Sequence, residues 1–239
     1  MPGGSYVALS GMRSRLDQLD RLASDIANVS TAGYKTERTS QAEADRPVFD
    51  AALQSAIDVS AGDTRLDTTP GAINSTGRDL DLAIEGKGFF EVQTAAGVRY
   101  TRNGHFTRQT DGTLATADGG VVLGPNGPVK VGPGTITVGD DGTVAADGAA
   151  AGKLLIVNFA APGLLARETG SMLRADNLTA VPATDFTIRS GALEQANVSV
   201  VERISELTDV NRSFEALQKA VSILMNDVDG RAIDTLGRH

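Results

Sequence analysis

Apolar residues recur with helical spacing at both ends of the chain, in alternating steps of three and four residues. This spacing is typical of a helix with one apolar stripe, and a run of about three heptads favours coiled-coil pairing. The N-terminal stripe is Leu9, Met12, Leu16, Leu19, Ala23 and Ile26, and the C-terminal stripe is Leu207, Val210, Phe214, Leu217, Val221, Leu224 and Val228. The pattern therefore predicts one long helix at each end.

Turn-forming residues mark where these helices meet the rest of the chain. The N-terminal periodicity stops at residues 31–33, where Gly33 suits the left-handed position that often follows a helix. Asn28, Gly33 and Asn197 form the predicted helix-end motif. Two interpretations of this motif stay open: it shapes the helix ends only, or it also sets the angle at which the helices leave and hence how copies of the chain pack together.

The C-terminal helix has a recognisable first turn. Ser199 and Glu202 have the spacing of a capping box, in which each side chain accepts a hydrogen bond from a free amide of the first turn. We expect the helix to end at Gly230, after about 30 residues or roughly 45 Å.

The middle of the chain is rich in glycine and changes to strand spacing. Most of the 27 glycines lie between residues 71 and 152. Residues 79–84 alternate between a polar or small residue and a large apolar one, which predicts a half-buried strand with Asp79 and Asp81 in water. A glycine-containing turn then predicts a hairpin to the strand at 89–92.

Two similar Asp-Gly segments and one apolar run complete the β prediction. Residues 111–119 and 141–148 each place an Asp-Gly pair on both sides of a short strand, which is typical of tight hairpins. Residues 153–159 are the most apolar strand, and we expect them to lie in the core. We interpret residues 71–190 as an all-β domain.

These segments together predict an α+β fold. The parts are an N-terminal helix region (1–38), a polar connector (39–70) with strand-like pieces at 53–59 and 64–68, the all-β domain (71–190) and a C-terminal helix region (191–239). We expect the two helices to pair into one discontinuous helical unit around the inserted β domain. Burying an apolar side chain contributes about 2 kcal/mol, so leaving the C-terminal stripe exposed would forfeit a large stabilisation. One pair of helices buries only one stripe of each helix and cannot cover all of the apolar surface present. The stripes therefore predict an assembly seam for other subunits, with an intramolecular core as the alternative.

Composition narrows the classes of function. The 30 acidic and 22 basic residues give a net charge of −8, which disfavours nucleic acid and anionic membranes as partners. The chain has no cysteine, which excludes disulfides and thiolate nucleophiles. No apolar run is long enough to span a bilayer, and residues 1–10 lack the pattern of a cleaved signal peptide.

Candidate catalytic and metal-binding residues are few. His105 and His239 are the only histidines, so a multi-histidine metal site is nearly excluded, and His105 falls in a predicted turn. Asp79, Asp81 and Glu85 could be drawn as an acid–base pair, but strand alternation places the aspartates in water. The aspartates of the Asp-Gly segments match no calcium-loop pattern and are better explained as turn formers. We therefore expect no enzyme activity, no cofactor and no metal.

Four stretches resemble the axial proteins of the bacterial flagellar rod and hook. They are residues 27–35, residues 80–90, residues 100–106 running on to 111–112 and 123–124, and residues 193–198 followed by 212–215. They occur in the family's order across most of the chain.

The resemblance implies a structural subunit of the flagellar basal-body rod. In this family, coiled terminal helices line an inner tube and the β domain lies outside it, so the implied partners are other rod subunits. It also implies export through the flagellar type III apparatus without a cleaved signal peptide, and a location in the basal body where the rod crosses the periplasm. Residues 218–227 are most similar to the proximal rod type; a distal rod or short hook-type subunit is the alternative within the family.

Two hypotheses come from other classes of protein. A soluble β module could bind carbohydrate through Phe89, Phe90 and Tyr100 and dimerise through its helices, although only 4% of the residues are aromatic. An enzyme is disfavoured because the chain offers only two histidines and no cysteine.

Overall fold

The computed structural model of the chain describes residues 2–39 and 64–236, with side chains described for residues 11–38, 64–219, 221 and 222. These residues form two compact units. The helical unit contains both long helices, and the β-rich unit consists of Asn28–Arg38 and Arg65–Val198. The fold is therefore α+β, as predicted, with two long helices and a large β-rich region in the described part of the chain.

The two helices are α1 (Pro2–Ala27) and α2 (Val200–Leu236). The strands are β1 (Glu37–Thr39), β2 (Thr64–Leu66), β3 (Ile73–Ser75), β4 (Leu82–Gly86), β5 (Phe89–Thr94), β6 (Gly97–Thr101), β7 (Phe106–Arg108), β8 (Leu114–Thr116), β9 (Val121–Gly124), β10 (Gly127–Pro128), β11 (Ile136–Val138), β12 (Thr143–Ala146), β13 (Ala149–Lys153), β14 (Ile156–Asn158), β15 (Ala166–Arg167), β16 (Met172–Arg174), β17 (Val181–Pro182), β18 (Phe186–Ser190) and β19 (Ala192–Glu194). A short 3₁₀ helix spans Pro162–Leu164. Within the described ranges, neither helix combines the length and the apolar content that a membrane crossing requires.

The helix boundaries differ from the predicted ones at three places. α1 ends at Ala27, so the last part of region 1–38 is turn and strand. β19 occupies the start of region 191–239, so the C-terminal helix begins at Val200, directly after the predicted capping residue Ser199. α2 also continues through Gly230, because a glycine costs a helix only about 1 kcal/mol relative to alanine.

Most of the predicted connector lies outside the described residues. This includes the strand-like piece at 53–59. The other piece, at 64–68, contains β2, which pairs with β1.

In the helical unit, α1 and α2 run in opposite directions where they meet. A Cβ atom built at Gly11 would lie 3.8 Å from Cδ1 of Leu217, and Oδ2 of Asp25 lies 3.5 Å from Nε of Arg203. The residue number therefore rises along α1 as it falls along α2.

The β-rich unit is built from antiparallel pairs. Its largest sheet has the order β15-β16-β6-β5-β9-β8-β7, with β10 beside β9, β14 beside β5 and β17 beside β14. β11, β12 and β13 form a separate meander, and β18 pairs with β4 and β19 with β3. The last two pairs bring the end of the unit back to its beginning.

Two hydrophobic cores lie on opposite faces of the same strands. Phe90 of β5 and Ile156 of β14 belong to one core, whereas Phe89 and Val157, their neighbours in sequence, belong to the other. Because both faces of β5 and β14 are covered, these strands are apolar at successive positions rather than alternating. The prediction that residues 153–159 lie in the core is confirmed by the burial of Leu154, Ile156, Val157 and Phe159.

The predictions for residues 79–92 are wrong in two respects. Asp81 is buried and not in water. An isolated β-bridge joins it to His105, and its carboxylate can be buried there because it accepts a hydrogen bond from Nδ1 of His105 at 2.8 Å. The hairpin between β4 and β5 is also absent among the described strand pairs: β4 pairs with β18, and β5 pairs with β6, β9 and β14. Local turn residues could not indicate a partner about a hundred positions away in sequence.

The two Asp-Gly segments form the predicted hairpins. Residues 111–119 link β7, β8 and β9, and residues 141–148 link β11, β12 and β13. Asp111 accepts hydrogen bonds from the Thr113 amide at 3.0 Å and its hydroxyl at 2.7 Å, and Asp141 does the same with Thr143 at 3.0 and 2.8 Å. These aspartates thus act as turn formers.

Asp141 also links the stability of its turn to pH. Its pKa is lowered to about 2 by hydrogen bonds from the Thr143 hydroxyl and amide and by Lys153, whose Nζ lies 3.1 Å away. An aspartate in the unfolded chain binds its proton near pH 3.9. As the pH falls through that value, the unfolded chain takes up this proton before the folded chain does, so stability is lost down to about pH 2.

We predict that Asp141→Asn lowers stability at neutral pH and that its difference from the wild type shrinks between about pH 4 and pH 2. Urea unfolding midpoints measured from pH 2 to pH 7 test this. Asp118→Asn removes an equal charge from an exposed turn position and should give a smaller and flatter difference. A difference that stays constant with pH would mean that the charge of Asp141 has no role.

Candidate functional site: the terminal helix faces and a buried charge cluster

The predicted assembly seam is only partly covered in the single chain. On α1, Leu16 is 47% exposed, and Met12, Leu19 and Ile26 are half-buried. On α2, Val210 is buried, and Leu207, Phe214, Leu217 and Val221 are half-buried. Leu9, Leu224 and Val228 lie on the helices but outside the part of the chain whose side chains are described.

Two described contacts of α1 with α2 lie at the edge of the N-terminal stripe. Gly11 and Asp25 approach α2, and Leu22 is the buried apolar residue among those of α1 whose side chains are described. Met12 and Ile26 each follow a contact residue by one position, and one position is about 100° around a helix. The N-terminal stripe therefore borders these two contacts, and Asp25, one position off the stripe, is buried beside Arg203.

Further apolar residues are exposed at the start of α2. Val201 is 79% exposed and Ile204 is 50% exposed, whereas Val210 on the side of the α1 contact is 5% exposed. Together with Leu16, they leave apolar surface on the helical unit that its own two helices do not bury. Such surface in a soluble protein is typical of an interface with another protein.

A buried charge cluster, made of Lys35, Arg102 and Glu194, lies inside the β-rich unit. Nζ of Lys35 lies 2.5 Å from Oε1 of Glu194, and Nη1 of Arg102 lies 3.2 Å from Oε2. The side chains of Lys35 and Glu194 are each 1% exposed. One carboxylate is thus shared by two cations, and the three residues are far apart in sequence.

Backbone groups complete the cluster. Lys35 also donates to the Thr69 carbonyl at 2.7 Å, and the Gly71 amide donates to Oε1 of Glu194 at 3.1 Å. Arg102 donates to the carbonyls of Ile84 at 2.9 Å and Gly86 at 2.7 Å, which both belong to β4. These bonds attach the cluster to β4 and to the segment between β2 and β3, and they restrict its geometry.

The cluster depends on its charges. Burial lowers the pKa of Lys35, and the nearby Glu194 carboxylate opposes that shift through its charge and its hydrogen bond. Burial likewise lowers the pKa of Arg102, again against the effect of Glu194. Both cations are therefore held away from water, and Glu194 is the group that compensates them.

Asn197 joins the two chain segments that border the helices in sequence. Its Oδ1 accepts from the Thr36 amide at 2.8 Å, its Nδ2 donates to the Asp67 carbonyl at 2.9 Å, and its own amide donates to the Tyr34 carbonyl at 3.3 Å. Asn197 thus connects the segment after α1 with the segment before α2, inside the β-rich unit.

Gly33 lies where two backbones nearly touch. Its φ is +67°, and a Cβ atom there would come within 2.2 Å of the Arg102 carbonyl carbon and the Asn103 nitrogen. Its amide donates to the Glu194 carbonyl at 2.7 Å. Asn28, the third residue of the predicted motif, accepts from the Thr31 amide and hydroxyl at 2.9 and 3.2 Å, in the turn after α1.

Sequence reasoning missed the residues that form this cluster. All three lie within the stretches that carried the family resemblance, but no periodicity assigned them a role. In sequence, Lys35 is close to Gly33, and Glu194 is close to Asn197. The available indication was a charged residue beside a predicted structural glycine or asparagine. The fold brings these positions together; in the described part of the chain, no group of histidine and acidic side chains has the arrangement of a metal site.

Two family models match the chain. One, described as the flagellar hook protein FlgE/F/G D1 domain, matches residues 83–146, which include Arg102. The other, described as the flagellar basal body rod FlgEFG protein C-terminal, matches residues 189–226, which include Glu194 and Asn197.

Curated relatives are similar over nearly the whole chain. The flagellar basal-body rod protein FlgF of Caulobacter vibrioides is 34% identical over 246 residues, covering 100% of this chain and 99% of its own length. FlgF of Escherichia coli is 32% identical, with 95% of both chains covered. The rod protein FlgG of Bacillus subtilis is 32% identical, covering 91% of this chain and 93% of its own length. None of these relatives supports the carbohydrate-binding hypothesis.

We predict that Glu194→Gln destabilises the β-rich unit by about 3–5 kcal/mol, because two buried cations lose their shared carboxylate. Lys35→Met should cost less, since Glu194 keeps Arg102 and the Gly71 amide as partners. Chemical unfolding followed by circular dichroism measures both. Glu215→Gln removes a carboxylate from an exposed position of α2 and serves as the control. Wild-type stability of Glu194→Gln would contradict the assigned role.

Gly33→Ala should be more harmful than Gly77→Ala, although both glycines have a similar positive φ of +67° and +72°. A Cβ atom at Gly77 meets no atom within 4 Å, so that variant should lose only about 1 kcal/mol for the left-handed backbone. Gly33→Ala adds a clash with three backbone atoms of Arg102 and Asn103. Thermal unfolding of the two variants compares the effects, and equal losses would show that the close approach at Gly33 is unimportant.

Proposed function

We propose that this chain, which belongs to the family of flagellar basal-body rod proteins, is a structural subunit of the rod and joins neighbouring axial subunits through its terminal helices. Its location is then the flagellar basal body, and its role in motility is mechanical. The observation that carries the proposal is the apolar surface that the helical unit leaves uncovered, in a chain that is similar to rod proteins over its full length.

We infer that different faces of α1 contact different partners. Gly11 and Asp25 approach α2 within the chain and Leu22 is buried, while Leu16 stays exposed. We infer that the first face pairs the two helices of one subunit and that the N-terminal stripe packs against helices of other subunits. At about 25 cal/mol for each Å² of apolar surface buried, several such side chains per contact would favour a polymer over single chains.

The buried charge cluster has a supporting role in this proposal. It holds the segment after α1 and the segment before α2 side by side in the β-rich unit, through Lys35, Glu194 and Asn197. A rod subunit that transmits torque needs both of its chain connections fixed. We infer that Asn28, Gly33 and Asn197 contribute to this constraint beyond shaping the helix ends.

Within the family, we propose the proximal rod type, with the distal rod type as the alternative. The FlgF relatives from Caulobacter vibrioides and Escherichia coli align over 100% and 95% of this chain, and the FlgG relative from Bacillus subtilis aligns over 91%. Passage through the flagellar type III export apparatus, without cleavage of a signal peptide, belongs to the same proposal. A rod role requires no cofactor and no catalysis.

We predict that Leu16→Asp abolishes rod assembly and swimming without unfolding the chain. The side chain is already 47% exposed in the single chain, so the charge is tolerated there, but it would be buried without a partner between subunits. Swimming in soft agar and electron microscopy of basal bodies, in a strain that lacks its own copy, measure assembly; circular dichroism measures folding.

Gln218→Asp places the same new charge at an exposed position of α2, outside the stripes, and should leave swimming intact. Leu217→Asp with Leu224→Asp should also prevent assembly, but these changes disturb the contact with α1 as well. Normal swimming and intact basal bodies in Leu16→Asp would contradict the proposed assembly face.

A further inference from the structure

A buried carboxylate lies in the contact between the two helices. The Asp25 side chain is 2% exposed, and its Oδ2 lies 3.5 Å from Nε of Arg203, whose side chain is 13% exposed. Arg203 is also 2.5 Å from Oε2 of Glu206, one turn further along α2. A buried charge pair in a helix contact contributes little net stability, because desolvation offsets the attraction. It can still select one arrangement over others.

The contacts between the helices have a regular spacing. Gly11 approaches Leu217 and Asp25 approaches Arg203, so the two contacts are separated by 14 residues on each helix, which is two heptads. On α2, the positions that continue this seven-residue spacing are Arg203, Val210, Leu217 and Leu224. Three of these four residues are apolar and similar in size.

A row of similar apolar residues spaced seven apart does not by itself fix the register of α1 against α2. If α1 slid by one heptad, about 10.5 Å, Gly11 would face Leu224 and Asp25 would face Val210. The glycine would still meet a leucine, so packing alone would change little there. Asp25, however, would lose Arg203 and put its charge against a buried valine, which is costly.

We propose that the Asp25–Arg203 pair is the specificity element that fixes the antiparallel register of α1 against α2. This inference rests on the proposed function, because it concerns the helix pair that would join rod subunits. The register decides which residues of the N-terminal stripe lie beside which residues of α2. A slipped pair would present a displaced apolar face to the next subunit.

The cysteine-free chain allows the register to be read directly by disulfide trapping. Gly11→Cys with Leu217→Cys reports the native register, and Gly11→Cys with Leu224→Cys reports the register slipped by one heptad. Each pair is made in the full-length chain, and the intramolecular disulfide is quantified after mild oxidation. Peptide mapping separates it from disulfides between chains.

We expect the native pair to form the disulfide efficiently and the slipped pair to form little of it. In the Asp25→Asn or Arg203→Met background, the ratio of slipped to native disulfide should rise about tenfold, which corresponds to ~1.4 kcal/mol. Asp20→Asn and Arg212→Met change the same charges at exposed positions of the same helices and should leave the ratio unchanged.

A second variant separates register from stability. Asp25→Leu with Arg203→Leu replaces the charge pair by apolar side chains, which often keeps or improves packing. Helix pairing should therefore persist, and the ratio of slipped to native disulfide should still rise. A ratio unchanged from wild type, in this variant and in Asp25→Asn, would overturn the inference.

The outcomes also separate this inference from the proposed function. If the wild-type background forms the native disulfide, and only the ratio fails to respond, the helix pair stands and the register claim alone is wrong. If the wild-type background forms no native disulfide, the pairing of α1 with α2 and the register claim both fail, whereas the proposed rod function is tested separately by Leu16→Asp.

Discussion

The carboxylate of Glu194 is the group on which the organisation of the β-rich unit depends. It compensates two buried cations, Lys35 and Arg102, and its backbone carbonyl accepts the amide of Gly33. Glu194 and these partners come from three parts of the chain, which meet only once the unit has folded. Since a lone buried charge is costly, any arrangement that separates the three parts leaves an uncompensated ion. The cluster therefore disfavours alternative arrangements more strongly than its net stability suggests.

The helical unit combines an internal contact and an outward apolar surface. Leu22 and Val210 are buried, whereas Leu16, Val201 and Ile204 remain exposed. Among the described residues, the contact between α1 and α2 leaves these three apolar side chains exposed, and the proposal above assigns them to contacts with other subunits. Exposed apolar surface on a flagellar rod protein is consistent with polymer formation. In a polymer, the neighbouring copy buries the apolar surface that a single chain leaves exposed.

Local patterns in the sequence predicted much of this fold, and the errors have a common cause. The Asp-Gly hairpins, the core strand at 153–159 and the two helices depend on residues that are close in sequence, and all are present. The pairing of β4 with β18 and the burial of Asp81 beside His105 depend on partners far away in sequence. Periodicity located an apolar stripe on α1 but not the partner that covers each face, so the contact through Gly11 and Asp25 was not predicted.

Buried charge is used in the same way in both units. Asp25 with Arg203 in the helical unit and Glu194 with Lys35 in the β-rich unit each join segments about 160 to 180 residues apart in sequence. Apolar contacts supply most of the stability in such a chain, but they tolerate displacement because one aliphatic side chain can replace another. A buried ion pair does not tolerate it, because a displaced partner leaves a charge without compensation. Under the two proposals made above, the chain would separate the two requirements of a polymer subunit: exposed apolar surface would provide the energy of association, and a few buried charges would determine the geometry of the helices that associate.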